Sequence, residues 1–142
     1  MKKKNEMMDR PVINNDVREY LRTEQKQLKG GLKALQDTAL ENRNPVIPHE
    51  TVAYLIWLLE QLQPKEILEV GMHIGFSASV FAEYTDANIQ TIERNEEMIP
   101  RARANFKEFG IEDRVKILEG QAEDWLADLP DEQFDFIFMD SA

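Results

Sequence analysis

The sequence contains no cysteine, which excludes both a disulfide framework and a zinc site built from thiolates. It also has no apolar run near the roughly 18 residues that a membrane-spanning helix needs. The lysine-rich start is not followed by the apolar core of a signal peptide. These absences favour a cytoplasmic protein without a membrane partner, and the 142 residues suffice for one domain with a buried core.

Basic charge is scarce after the first third of the chain. Residues 1–43 carry ten Lys or Arg and seven Asp or Glu, for a net charge of +3, whereas residues 44–142 carry seven and twenty, for −13. The acidic body argues against broad nucleic-acid binding, which needs a basic surface. The first segment is interpreted as a solvated arm, although its charge would also suit RNA or an acidic partner.

The sequence divides into an N-terminal helical arm, residues 1–43, and an α/β domain, residues 44–142. In the arm, Asn15 or Asp16 can cap a first helix. The apolar stripe of this helix consists of Val17, Tyr20, Leu21 and Leu28. A Gly-Gly pair at 30–31 separates a second helix, and the loop "NPVIP" at 44–48 precedes a third.

Beyond residue 64 the pattern alternates four times between strand and helix. The predicted strands are "EILEV" (66–70), "NIQTIE" (88–93), "RVKILEG" (114–120) and "FDFIFMD" (134–140), and the helices fall at 75–84, 95–109 and 121–128. Such alternation is typical of a parallel sheet with helices on both faces. The predicted fold class is therefore α/β, with a partial, four-stranded parallel sheet preceded by N-terminal helices.

Three of the predicted strands carry an acid at or near their carboxyl end. Glu69 lies near the end of the first, Glu93 ends the second and Asp140 ends the fourth. Ligands of such sheets bind beyond the carboxyl ends of the strands, so these carboxylates should converge on one site. Glu93 is placed to accept hydrogen bonds from ribose hydroxyls, and Glu69 to lie near a ligand cation.

The loop after the first strand completes this predicted site. Gly71 and Gly75 permit a tight turn, and Ser77 lies near the start of a helix whose free N–H groups favour an anion such as a carboxylate. The spacing Gly71-x-x-x-Gly75 is not the G-x-G-x-x-G of dinucleotide-binding proteins. A nucleoside with a zwitterionic amino-acid tail and no pyrophosphate fits these features, and S-adenosylmethionine (SAM) has that structure.

Four segments resemble the class I SAM-dependent O-methyltransferases of the catechol and caffeoyl-CoA type. They are "ILEVGMHIGFSASVFAE", "TIERNEEM", "EDRVKILEGQAEDWL" and "FDFIFMDSA". The resemblance implies a Rossmann-like domain that binds SAM. It places Ile47 in a cofactor-contacting loop and the segment Gly120, Gln121 and Ala122 beside the adenine. One departure is Met72, since the family commonly has Thr directly after its first glycine.

The resemblance also implies the chemistry. Asp140 resembles the first ligand of a divalent metal, normally magnesium, which acts as a Lewis acid on the acceptor while a Lys deprotonates the attacking hydroxyl. The ending in D-S-A is similar to bacterial members that methylate 5-hydroxyuridine in tRNA, so the acceptor is a small aromatic or tRNA hydroxyl. Because the sequence stops before that Lys and two further metal ligands, this chain alone is expected not to methylate.

The same stop predicts an exposed apolar edge on the last strand, and with it self-association as a dimer. The residues assigned to that edge are Phe134, Phe136, Ile137 and Phe138. Two alternatives stay open: a non-catalytic SAM-binding or protein-interaction module, and a nucleotide-dependent oxidoreductase, which the glycine spacing disfavours. His73 and His49 have no evident partner and are interpreted as structural.

Overall fold

The computed structural model of the protein describes residues 14–141, which form six helices and four strands. The helices are α1 (Asn15–Glu24), α2 (Gly30–Glu41), α3 (His49–Leu62), α4 (Phe76–Tyr84), α5 (Ile99–Phe109) and α6 (Ala122–Asp128). The strands are β1 (Glu66–Val70), β2 (Asn88–Glu93), β3 (Val115–Glu119) and β4 (Phe136–Met139). In this part of the chain, no helix is long and apolar enough to cross a membrane.

The four strands form one parallel sheet in the order β3-β2-β1-β4. This confirms the predicted α/β fold class. The register pairs Glu69 of β1 with Thr91 of β2 on one side and with Phe138 of β4 on the other. Because all strands run the same way, their carboxyl ends share one edge of the sheet, and the residues that follow them are brought together there.

The larger part of the core lies on one face of the sheet, around α4. Residues 76–82 of this helix are all buried, because it is enclosed by other elements, and it packs against α2, α3 and β2. Its fully buried Phe81 meets the rings of Phe136 and Phe138 edge-to-face, with centroids 6.1 and 5.4 Å apart. Such contacts contribute about 0.5–1.5 kcal/mol each beyond their buried area.

These contacts correct the predicted edge of the last strand. Phe136 and Phe138 are half-buried, because alternate residues of β4 face α4. Phe134 is also partly buried, against the second core. Of the four predicted residues, Ile137 is exposed, at 57%, and the unpredicted Met139 is exposed at 66%. They lie on the opposite face of the sheet, in register with the buried Leu68 and Val70, where the small second core packs under α6.

The first helix also differs from its prediction. Its cap is Asn14, whose side chain accepts a hydrogen bond from the backbone N–H of Asp16 at 2.8 Å. No residue of α1 is buried, and Val17 and Tyr20 are at least half exposed, so the apolar stripe of this helix is not part of the core. Leu28 is buried but lies in the loop before α2.

An ion pair attaches α1 to the rest of the molecule. Arg22 donates from Nε and Nη2 to the two carboxylate oxygens of Glu50, on α3, at 2.8 Å each. This two-pronged contact holds the Glu50 pKa below its usual range. Arg22 thus links α1 to α3 through a polar contact, which the apolar pattern of α1 does not predict.

Candidate functional site

A cavity of about 1090 Å³ opens at the edge where the carboxyl ends of the strands meet. Its size suits a cofactor-sized ligand. Eight of the ten predicted site residues line it: Ile47, Gly71, Ser77, Glu93, Gly120, Gln121, Ala122 and Asp140. The other two, Glu69 and Gly75, do not line it, since Glu69 is fully buried and Gly75 faces α5.

Glu93 fastens two loops at the rim of this cavity. Its Oε2 accepts a hydrogen bond from the backbone N–H of His73, and its Oε1 accepts one from the backbone N–H of Asn95, each at 2.7 Å. His73 holds a left-handed backbone conformation, with φ of 51°, that side chains other than glycine seldom adopt. The loops after β1 and β2 are thus joined through one half-buried carboxylate.

The fully buried Glu69 lies among polar partners from two neighbouring elements. Its carboxylate accepts hydrogen bonds from the hydroxyls of Ser77, on α4, and Thr91, on β2. Burial raises the pKa of Glu69 to about 7, the two hydroxyl groups oppose that rise, and the negative charges of Asp140 and Glu93 add to it. Only Ser77 of this group reaches the cavity.

The raised pKa of Glu69 predicts a pH dependence of stability. Between pH 4.5, the ordinary pKa of a glutamate, and about pH 7, the folded chain keeps a proton on Glu69 that the unfolded chain has lost. The contribution of Glu69 to the free energy of unfolding is therefore fully present below this range and is lost as pH rises through it. Relative to Glu69→Gln, the wild type should lose on the order of 2 kcal/mol of unfolding free energy between about pH 5 and about pH 8. Urea denaturation of both proteins measures this, and parallel pH profiles would contradict it.

The two glycines of the first loop are required by close approaches within the protein. A Cβ on Gly71 would lie 2.5 Å from the carbonyl oxygen of Asp140, and one on Gly75 would lie 2.5 Å from the ring of Phe106. Both residues also have positive φ, 98° and 79°. Gly71 thus lets the end of β4 pass beside the loop, and Gly75 lets α5 pack against the start of α4.

The far wall of the cavity is formed after β3. Gly120, with φ of 133°, turns the chain into Gln121 and Ala122 at the start of α6. Trp125 supports this turn, since its indole N–H donates to the carbonyl of Glu119 at 3.1 Å. Trp125 does not line the cavity and packs in the second core.

Asp140 lies at the opposite wall and is exposed to solvent. Its backbone N–H donates to the carbonyl of Val70 at 3.0 Å, which fixes the chain just beyond β4. Among residues 14–141, no group of three or more His, Cys, Asp or Glu side chains is arranged to hold a metal ion. These residues therefore do not by themselves fit a magnesium ion, which is usually bound with help from substrate or other ligands.

Three residues of this edge were not predicted from the sequence. They are Thr91, which contacts Glu69, and His73 and Asn95, whose backbone N–H groups hold Glu93. In the sequence, Thr91 has the appearance of an ordinary strand residue. Hydrogen bonds from the backbone N–H groups of His73 and Asn95 do not depend on their side chains, so the residue types do not indicate them. The position of Thr91 two residues before Glu93 is the available signal, because side chains two apart on a strand share one face of the sheet.

Comparison with known proteins places these features in a family. A profile described as "O-methyltransferase" matches residues 16–142. Catechol O-methyltransferase B of Danio rerio is 33% identical over 89 residues, which are 58% of this chain and 34% of that protein. The chain therefore spans about a third of the length of this curated relative.

Solved structures agree with this comparison. The methyltransferase PaMTH1 of Podospora anserina, bound to S-adenosylhomocysteine (SAH), superposes with a TM-score of 0.81 at 29% identity over 99% of this chain and 60% of its own. The O-methyltransferase TomG of Streptomyces achromogenes, in complex with SAM, gives 0.74 at 25% identity over 89% and 60%. The similarity thus extends over nearly all of this chain.

Proposed function

Since the chain belongs to the O-methyltransferase family, we propose that it is the cofactor-binding part of a SAM-dependent O-methyltransferase. The observation that carries this proposal is the convergence of Gly71, Ser77 and Glu93 on one cavity at the carboxyl edge of the sheet. The cofactors bound to PaMTH1 and TomG, SAH and SAM, support the choice of ligand.

The proposed ligand fits the chemistry of the cavity walls. Glu93, already held by two backbone N–H groups, presents carboxylate oxygens suited to ribose hydroxyls. The turn at Gly120, Gln121 and Ala122 offers a wall for adenine, and Ile47 offers an apolar contact from the loop before α3. The acidic side chains of Glu93 and Asp140, which line the cavity, favour the cationic part of the ligand.

In the proposed reaction, the protein holds the cofactor in the orientation that methyl transfer requires. When bound, SAM supplies an electrophilic methyl group for an acceptor hydroxyl. The walls described above would hold the adenosyl part, so that the acceptor oxygen can approach the methyl group in line with the bond that breaks. Binding thus holds the two reactants in the geometry that they would reach only rarely by colliding in solution.

The finer parts of the proposal depend on the resemblance of the sequence to its family. The methyl acceptor would be a hydroxyl of a small aromatic compound or of 5-hydroxyuridine in tRNA. A magnesium ion at Asp140 would need ligands beyond those that residues 14–141 bring together. The exposed Ile137 and Met139 support a dimer, and the absence of cysteine supports a cytoplasmic location.

Isothermal titration calorimetry tests the proposed ligand. SAM and SAH should each bind the purified 142-residue chain once, whereas NAD at the same concentration should give no specific heat because the loop lacks the spacing that cradles a pyrophosphate. A folded chain that binds neither SAM nor SAH, or that binds NAD as tightly, would contradict the proposal. Circular dichroism of the same sample establishes that it is folded.

A further inference from the structure

A chain of three side chains leads from the interior of the sheet to the cavity wall. Thr91 donates its hydroxyl hydrogen to Oε2 of Glu69, and Ser77 donates its own to Oε1. Thr91 and Glu69 are fully buried and directly paired across β1 and β2. Ser77 is the member that lines the cavity.

Each oxygen of the Glu69 carboxylate therefore has one side-chain donor. A buried oxygen that loses its donor is left without a hydrogen bond, so the carboxylate would turn, or bind a proton, if one donor were removed. The charged groups that act on Glu69 are Glu93 at the end of β2 and Asp140 after β4, and both are negative. The two hydroxyls are thus what holds Glu69 in its orientation.

We propose that Thr91 is a positioning residue of the cofactor site, which fixes Glu69 so that Glu69 in turn orients the Ser77 hydroxyl at the cavity wall. This inference rests on the proposed function, because it assigns Thr91 a part in binding the amino-acid end of the cofactor. Thr91 itself does not line the cavity. Its effect reaches the ligand only through Glu69 and Ser77.

The test compares three variants by calorimetry with SAH and by urea denaturation. Thr91→Val keeps the shape of the side chain but removes the donor, and Thr91→Ser keeps the donor. Thr85→Val is the matched control, because Thr85 is also a buried threonine, bonded to the carbonyl of Phe81 at 2.7 Å and away from the cavity walls.

We expect Thr91→Val to weaken SAH binding about tenfold, whereas Thr91→Ser stays within about twofold of the wild type. Thr85→Val should lose stability but keep wild-type affinity, which separates positioning from general destabilisation. Unchanged affinity in Thr91→Val, equal weakening in Thr91→Ser, or equal weakening in Thr85→Val would overturn the inference.

A fallback variant and the behaviour of the wild type complete the test. If Thr91→Val does not fold, the smaller Thr91→Ala removes the same donor, and its affinity relative to Thr91→Ser decides the question by the same criterion. A folded wild type that binds no SAH removes the proposed function and this inference with it. Wild-type binding together with unchanged binding by Thr91→Val removes the inference alone.

Discussion

Replacing Gly71 by alanine should lower the free energy of unfolding by about 3–5 kcal/mol. The new Cβ would lie 2.5 Å from the carbonyl oxygen and 2.9 Å from the carbonyl carbon of Asp140, both backbone atoms that cannot swing aside. It would also have to adopt φ of 98°, which is strained for any residue except glycine. Urea denaturation measures the loss, and calorimetry of protein that still folds should detect no SAH binding.

Gly110→Ala is the control for this substitution. Gly110 also has positive φ, 66°, but a Cβ there would meet nothing within 4 Å. The control thus carries backbone strain without a clash and should cost only about 1 kcal/mol, with SAH binding preserved. Similar losses in the two variants would show that the approach of Asp140 to the loop does not constrain position 71.

Replacing Glu93 by alanine should weaken SAH binding about 100-fold. Hydrogen bonds to a charged group contribute about 1.5–3 kcal/mol each, and tenfold in affinity corresponds to about 1.4 kcal/mol. The substitution removes the acceptor proposed for the ribose and also frees the N–H groups of His73 and Asn95. Calorimetry with SAH gives the affinity. Glu93→Gln, which keeps one acceptor oxygen, should have an affinity between those of the wild type and Glu93→Ala.

Glu119→Ala is the matched control for Glu93. Glu119 pairs with Glu93 in register, at the same edge of the sheet, but its carboxylate forms an exposed ion pair with Arg103. Exposed ion pairs contribute little to stability. Affinity for SAH should therefore stay within about twofold of the wild type, and a comparable loss in both variants would refute a specific role for Glu93.

The sheet could be predicted from the sequence because its signals are local. Strands β1 and β2 have the predicted bounds, since each is a short apolar run between polar or turn-forming residues. The convergence of Glu93 and Asp140 on one edge followed from parallel topology alone. The helix predicted at 95–109 begins only at Ile99, because Pro100 favours the first turn of a helix.

The remaining features depend on contacts between distant parts of the chain. The pairing of Glu69 with Thr91 is set by strand register, which the two segments do not reveal separately. The burial of Phe136 and Phe138 depends on Phe81, more than fifty positions earlier in the sequence. The ion pair between Arg22 and Glu50 joins residues 28 positions apart, so it could not be predicted from the sequence of α1 alone.

Titration of ¹⁵N-labelled protein with SAH, followed by amide chemical shifts, tests most directly whether this cavity is the cofactor site. The largest changes should fall on amides that line it, those of His73, Asn95 and Gly120. Amides of Gly31 and Ile111, at a second cavity of about 430 Å³ beside α2, should stay unchanged. Changes centred on that second cavity, or spread evenly over the protein, would contradict a cofactor site at the carboxyl edge of the sheet.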